Sequence, residues 1–137
     1  MSHYIRLRKE DYVVKKKGYY EVESRVRVSC DGLVVFNRSA VLRLGLEEGC
    51  GVSFCEDVSM RDCFAVGRDD GKGYVLRGDG YGRLMFNCVE LTRHVIRSSV
   101  VRMALPAGAV VPTYVVFVVA RVSVEESGNI FALIMKK

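Results

Sequence analysis

Tryptophan is absent from this 137-residue chain, and proline and histidine occur only twice each. So little proline, in a chain whose residues are 50% hydrophobic, argues against wholesale disorder and for a packed core. The two histidines, His3 and His94, lie far apart and suggest no Ser–His–Asp or Cys–His set. The acidic pairs Glu47-Glu48, Glu56-Asp57 and Asp69-Asp70 fall in turn-like contexts, where solubility accounts for them. The chain is therefore expected not to be an enzyme and to need no cofactor. Its five cysteines (Cys30, Cys50, Cys55, Cys63, Cys88) include no CxxC pair, so they read as reduced, mostly buried thiols and no metal site is expected. The longest aliphatic run, residues 114–120, falls far short of the roughly 20 residues a membrane helix needs. The amino end is charged from Arg6 onward and shows no signal peptide. A soluble, cytoplasmic protein without membrane association is expected.

Charge is present but uneven. Residues 1–27 carry eight Lys or Arg against four Asp or Glu; residues 28–80 carry six against nine; residues 81–137 carry seven against three. The formal net charge is +5. If the two ends meet in the fold, they form a basic surface suited to a polyanion.

The stretch GLVVFN at residues 32–37 has a near copy, GRLMFN, at residues 82–87, and the helix arginines Arg43 and Arg93 keep the same offset. Such a repeat predicts two related strand–turn–helix units, residues 19–50 and 63–99, within a single domain spanning 1–137. Alternation predicts strands at 4–8 and 19–30, with Val22, Val26, Val28 and Cys30 on one face and Glu23, Arg25, Arg27 and Ser29 on the other. Lys15-Lys16-Lys17-Gly18 reads as an exposed turn, and Asp31-Gly32 as a hairpin turn before a strand at 33–36. Asn37 is placed to cap a helix over 38–44, which Gly45 terminates and Leu46 folds back upon. Strands are expected at 52–55, 63–67 and 73–77. Asn87 is expected to cap a helix over 88–98, with Glu90 completing a capping box and Cys88, Leu91 and Val95 facing inward. A carboxy-terminal hairpin over 113–135 follows; residues 115–119 are apolar throughout, which predicts a strand covered on both faces, with a homodimer supplying part of the cover. The glycines of residues 78–82 suit a β-turn better than a phosphate loop, since no GK[ST] follows, and Arg77-Gly78-Asp79 is a chance tripeptide.

Residues 32–52 (GLVVFNRSAVLRLGLEEGCGV) resemble the swapped-hairpin module of AbrB-type transition-state regulators through Gly32, Val34, Val35, Leu44, Gly45, Leu46, Gly49 and Val52. They depart from it at Asn37, Val41 and Cys50, where proline, arginine and aspartate are usual. That resemblance implies strand, short helix and return strand, and a regulator of duplex DNA. The order sheet–helix–sheet–helix, with Phe36-Asn37 and Phe86-Asn87 at the junctions, is similar to the Whirly and transcriptional-coactivator class of single-stranded-DNA-binding proteins.

The expected fold is α+β: a twisted, mostly antiparallel sheet with two short helices, two strand–turn–helix repeats and a carboxy-terminal hairpin. The expected function is non-enzymatic binding of DNA, in single strands, with a role in transcription regulation. The expected contacts are Arg6, Arg8, Lys15, Lys16, Lys17, Arg25 and Arg27 for phosphates, and Tyr19 and Tyr20 for bases, with Tyr4 and Tyr74 nearby. The alternatives are an AbrB-like duplex regulator and an assembly module that binds another protein through its apolar carboxy-terminal strands.

Overall fold

The computed structural model describes residues 23–56, 63–123 and 130–136. Arg6, Arg8, Lys15, Lys16, Lys17, Tyr19 and Tyr20, the strand expected at 4–8 and the turn expected at 125–128 lie outside the described residues.

Alternation governs the first hairpin. In β1 (Arg25–Ser29), Val26 and Val28 are fully buried while Arg25 and Arg27 are exposed. Gly32, at φ 105°, turns the chain into β2 (Leu33–Phe36), which buries Val34 and Phe36. Helix α1 (Arg38–Leu44) begins where expected: the Asn37 side-chain oxygen accepts from the Ala40 amide at 2.9 Å. Gly45, at φ 65°, ends it in the left-handed region, and the Leu46 amide returns to the Val41 carbonyl at 2.9 Å with Leu46 buried over the last turn.

The remaining elements are β3 (Gly51–Glu56), β4 (Phe64–Arg68), β5 (Tyr74–Val75), β6 (Arg77–Gly78), β7 (Leu84–Asn87), α2 (Val89–Met103), β8 (Tyr114–Ser123) and β9 (Ile130–Met135). The nine strands among the described residues form one sheet in the order β5-β3-β4-β9-β8-β1-β2-β7-β6, and every pairing is antiparallel. With the two described helices this is the α+β architecture expected. The strands at the two ends of that order, β5 and β6, are separated in sequence by Leu76 alone. Leu76 donates to the Cys50 carbonyl at 2.9 Å and accepts from the Gly49 amide at 2.8 Å. Residues 74–78 therefore join β3 on one side to β7 on the other, and the sheet closes into a ring. Closure leaves no long unpaired edge among the described strands to template aggregation.

The repeat is a structural one. Strands β2 and β7 pair with each other so that Val35 faces Met85, Val34 faces Phe86 and Phe36 faces Leu84. Each residue thus meets the counterpart of its neighbour across a local two-fold axis between Val35 and Met85. Exchanging β1 with the β5–β6 segment, β2 with β7, β3 with β8 and β4 with β9 leaves the strand order unchanged. The axis leaves the ring where β4 meets β9, at Ala65 opposite Ala132. Phe36 and Phe86 share one environment inside the ring, with centroids 6.4 Å apart.

The second unit differs from expectation at its helix. Asn87 remains in β7, paired with Leu33, so the cap position falls on Cys88, which makes no side-chain cap bond. Helix α2 then runs to Met103, beyond the Ser98 expected, because Val100 and Met103 pack on the core and tertiary contact outweighs the modest helix propensity of valine. Its buried face is Thr92, Val95, Ile96 and Ser99; Cys88 and Leu91 are only half-buried. The two buried hydroxyls donate to helix carbonyls, Thr92 to Val89 at 3.1 Å and Ser99 to Val95 at 2.8 Å, so neither is left unpaired. The strand, short helix and return strand of residues 32–52 are in place, but β3 lies between β5 and β4 and does not pair with β2.

Candidate nucleic-acid interface

Registers across the ring fix which outward side chains are neighbours. One row crosses β6, β7, β2, β1 and β8 as Arg77, Met85, Val35, Arg27 and Val116, and Lys136 extends it, its amide bonded to the Val116 carbonyl at 2.8 Å. The adjacent row carries Arg83, Asn37, Arg25, Val118 and Ile134. Between the rows lies a groove of about 310 Å³, lined by Arg25, Arg27, Arg83, Asn37, Tyr114, Val35 and Val116. The face is thus mixed, with half-buried apolar side chains between cations.

The electrostatics favour an anion. Among the described residues, Arg25, Arg27, Arg77, Arg83 and Lys136 pair with only two carboxylates, Glu23 and Asp79. Glu23 Oε1 accepts from Lys136 Nζ at 2.6 Å and from Arg25 at 2.9 Å; these bonds, that from Lys136 foremost, hold its pKa below the usual carboxylate range. Asp79 is likewise depressed, first by the Tyr81 amide at 2.8 Å and then by Arg83 Nε at 2.6 Å. The Glu23 pairs are exposed and contribute little to stability, whereas the Asp79 side chain is only 14% exposed. Arg27 is different: its guanidinium carbon lies 4.2 Å above the Tyr114 ring, and it has no carboxylate partner among the described residues. A cation stacked on a half-exposed ring offers a phosphate contact and a base-stacking surface together.

Of the contacts expected from sequence, Arg25 and Arg27 stand on this face. Tyr74 does not: its ring stacks on Phe86 at 4.5 Å and 7°, inside the aromatic cluster. Burial, aided by the Cys88 thiol, raises the pKa of its phenol. Sequence reasoning missed Arg77, Arg83, Tyr114 and Lys136. Arg83 stood within the second repeat, but only the β2–β7 register places it beside Asn37 and Arg25. His94 bonds Glu56 at 3.1 Å and meets the edge of Phe64, with no nucleophile between them. Of the five cysteines, expected to be mostly buried, only Cys50 is buried, while Cys63 and Cys88 are half-buried and Cys30 and Cys55 exposed. No group of three or more His, Cys, Asp or Glu among the described residues is placed to hold a metal ion. No helix among the described residues is long and apolar enough to cross a membrane.

Fold and face together define a closed antiparallel α+β ring with a basic, tyrosine-bearing outer groove. Comparison with protein-family models, with curated proteins and with solved structures found no match.

Proposed function

We propose that the protein is a non-enzymatic DNA-binding protein that takes single strands on this outer face, in the service of transcription regulation. The observation that carries the reading is Arg27, unneutralised by any described carboxylate, stacked on Tyr114 beside the groove of Arg25 and Arg83. A phosphate replaces the exposed carboxylate partner of Arg25, Arg83 stays paired with the mostly buried Asp79 at the edge of the groove, and a base stacks beside Tyr114. The test is anisotropy of a labelled oligonucleotide titrated over a range of salt, with unlabelled single-stranded and duplex DNA as competitors. Affinity falls linearly on logarithmic axes, and Arg27→Ala lowers the magnitude of the slope by about 0.7, the value for one single-strand phosphate contact. Tyr114→Ala removes a stacking surface worth about 1–3 kcal/mol per base. Stronger competition by duplex would favour the AbrB-like alternative, and absence of binding at low salt would end the reading.

A second reading, self-association as a homodimer, has its own observation. A groove of about 570 Å³ lies beside the first, lined by Met103, Val110, Val111, Pro112 and Tyr114, with Val110 88% exposed. Light scattering of the wild type and of Val110→Lys checks it: a dimer mass that the variant reduces to a monomer supports it, and a monomer mass for the wild type removes it.

A further inference from the structure

The local two-fold axis pairs Arg27 with Arg77, each opposite the axial residue of its own hairpin, Val35 and Met85 respectively. Their surroundings have diverged: the position of Arg25 is held by Val75 in the other unit, and that of Arg83 by Leu33. Arg77 lies outside the groove, is exposed, and has no ion-pair partner among the described residues. Three outward rows can be compared by charge. The row from Arg77 through Arg27 to Lys136 holds three cations; Arg77 and Arg27 have no ion-pair partner among the described residues, while Lys136 shares Glu23 with Arg25. On the Arg83–Arg25 side, Asp79 pairs with Arg83 and Glu23 with Arg25. On the other side, Asn87, Leu33, Ser29 and Tyr114 carry no charge. A path along β1 would carry phosphates from Arg27 past Arg25 onto Glu23. A path across the strands meets Arg77 and Arg27, neither paired with a carboxylate among the described residues, before it reaches Lys136 beside Glu23, with Met85, Val35 and Val116 as an apolar floor between the cations.

We infer that the bound single strand crosses the β-strands along the Arg77–Arg27–Lys136 row, and that Arg77 is a second phosphate contact beyond the groove. The inference rests on the nucleic-acid reading above and adds the direction and extent of the site. Five interstrand steps of about 4.8 Å give a track of about 24 Å, or about seven nucleotides at the B-form rise and fewer when unstacked.

The experiment compares salt slopes for one labelled oligothymidylate of about 12 nucleotides, within the usual range for single-strand sites. The variants are Arg77→Ala, Arg77→Lys, Arg27→Ala and Arg93→Ala in the full chain. Arg93, exposed on α2, controls for lost net charge. Arg77→Ala is expected to lower the slope magnitude by about 0.7 and the double Arg27→Ala/Arg77→Ala variant by about 1.4, while Arg77→Lys keeps the wild-type slope. Arg93→Ala is expected to leave the slope unchanged. A wild-type slope for Arg77→Ala, or equal losses for Arg77→Ala and Arg93→Ala, overturns the crossing path. If Arg27→Ala changes the slope and Arg77→Ala does not, only the path fails; if neither does, the nucleic-acid reading fails with it.

Discussion

Asn37 and Asn87 hold equivalent places in the repeat, yet the structure gives them unequal work. The Asn37 oxygen accepts from the Ala40 amide at 2.9 Å and from the Arg25 amide at 3.0 Å, while its nitrogen donates to the Glu23 carbonyl at 2.8 Å. One side chain thus caps α1 and ties the helix start to the beginning of β1. The Asn87 side chain is exposed and makes no hydrogen bond among the described residues. Replacing an Asn cap by alanine costs about 0.5–2 kcal/mol. The two remaining bonds add about 0.5–1.5 kcal/mol each, at the low end because they are exposed to solvent. Asn37→Ala should therefore cost about 2–3 kcal/mol, lowering Tm by roughly 6–12 °C for a chain of this size. Asn87→Ala should stay within about 0.5 kcal/mol of the wild type. Asn37→Ser keeps a cap oxygen and loses the amide donor, so it should recover about half of the loss. Urea unfolding followed by far-UV circular dichroism measures all three. Equal losses at the two asparagines, or an Asn37→Ala cost below about 0.5 kcal/mol, would refute the assignment of a cap to one repeat only.

Two further outcomes follow from the turn that precedes residues 74–78. A Cβ on Gly73 would stand 2.5 Å from the Val52 amide nitrogen and 2.7 Å from the Asp69 carbonyl, whereas one on Gly71 meets nothing within 4 Å. Gly73→Ala should thus lower stability by about 3 kcal/mol or more and Gly71→Ala by less than about 0.5 kcal/mol, read from the same unfolding curves. Asp70 accepts from Arg68, chiefly, and from the Gly51 amide, which depress its folded pKa below the unfolded value of about 3.9. Its contribution is therefore complete above the unfolded pKa and lost as pH falls through the folded one. Asp70→Asn should be less stable than the wild type at neutral pH, and the difference should vanish in strong acid.

Local chemistry made the first unit legible. Period-two burial fixed β2, and Asn37, Gly45 and Leu46 fixed both ends of α1, because each signal acts within a few residues of itself. The second unit shows where that reasoning stops. Asn87 looks like Asn37 in sequence, but strand pairing with Leu33 holds it in β7 and moves the helix start along by one residue. The strand expected at 73–77 exists as a run of extended chain, yet its two halves serve different neighbours, and only the closed ring explains why. The apolar run 115–119 has an intrachain explanation as well: Val115, Phe117 and Val119 fill the ring interior, while Val116 and Val118 sit half-buried outside. The same limit applied to the site. Arg25 and Arg27 could be placed on one face from alternation alone, whereas Arg77, Arg83 and Lys136 join them through pairings between strands remote in sequence.

A closed ring with internal two-fold symmetry would present the proposed polynucleotide with two equivalent halves, and a strand, which has direction, would fit a strictly symmetric site equally well in either sense. The departures from symmetry matter for that reason. Arg27 and Arg77 preserve it and would extend the proposed track on both sides of the Val35–Met85 axis. Arg25, Arg83 and the Arg27–Tyr114 stack break it, since they place the groove and the stacking ring in one half, where the other half has Val75, Leu33 and a loop glycine, Gly49, opposite the position of Val116. On the proposed nucleic-acid reading, the symmetric pair would set how far a bound strand reaches, and the asymmetric groove which way round it lies. Length dependence should accordingly respond to Arg77, and strand polarity to Tyr114 and Arg83.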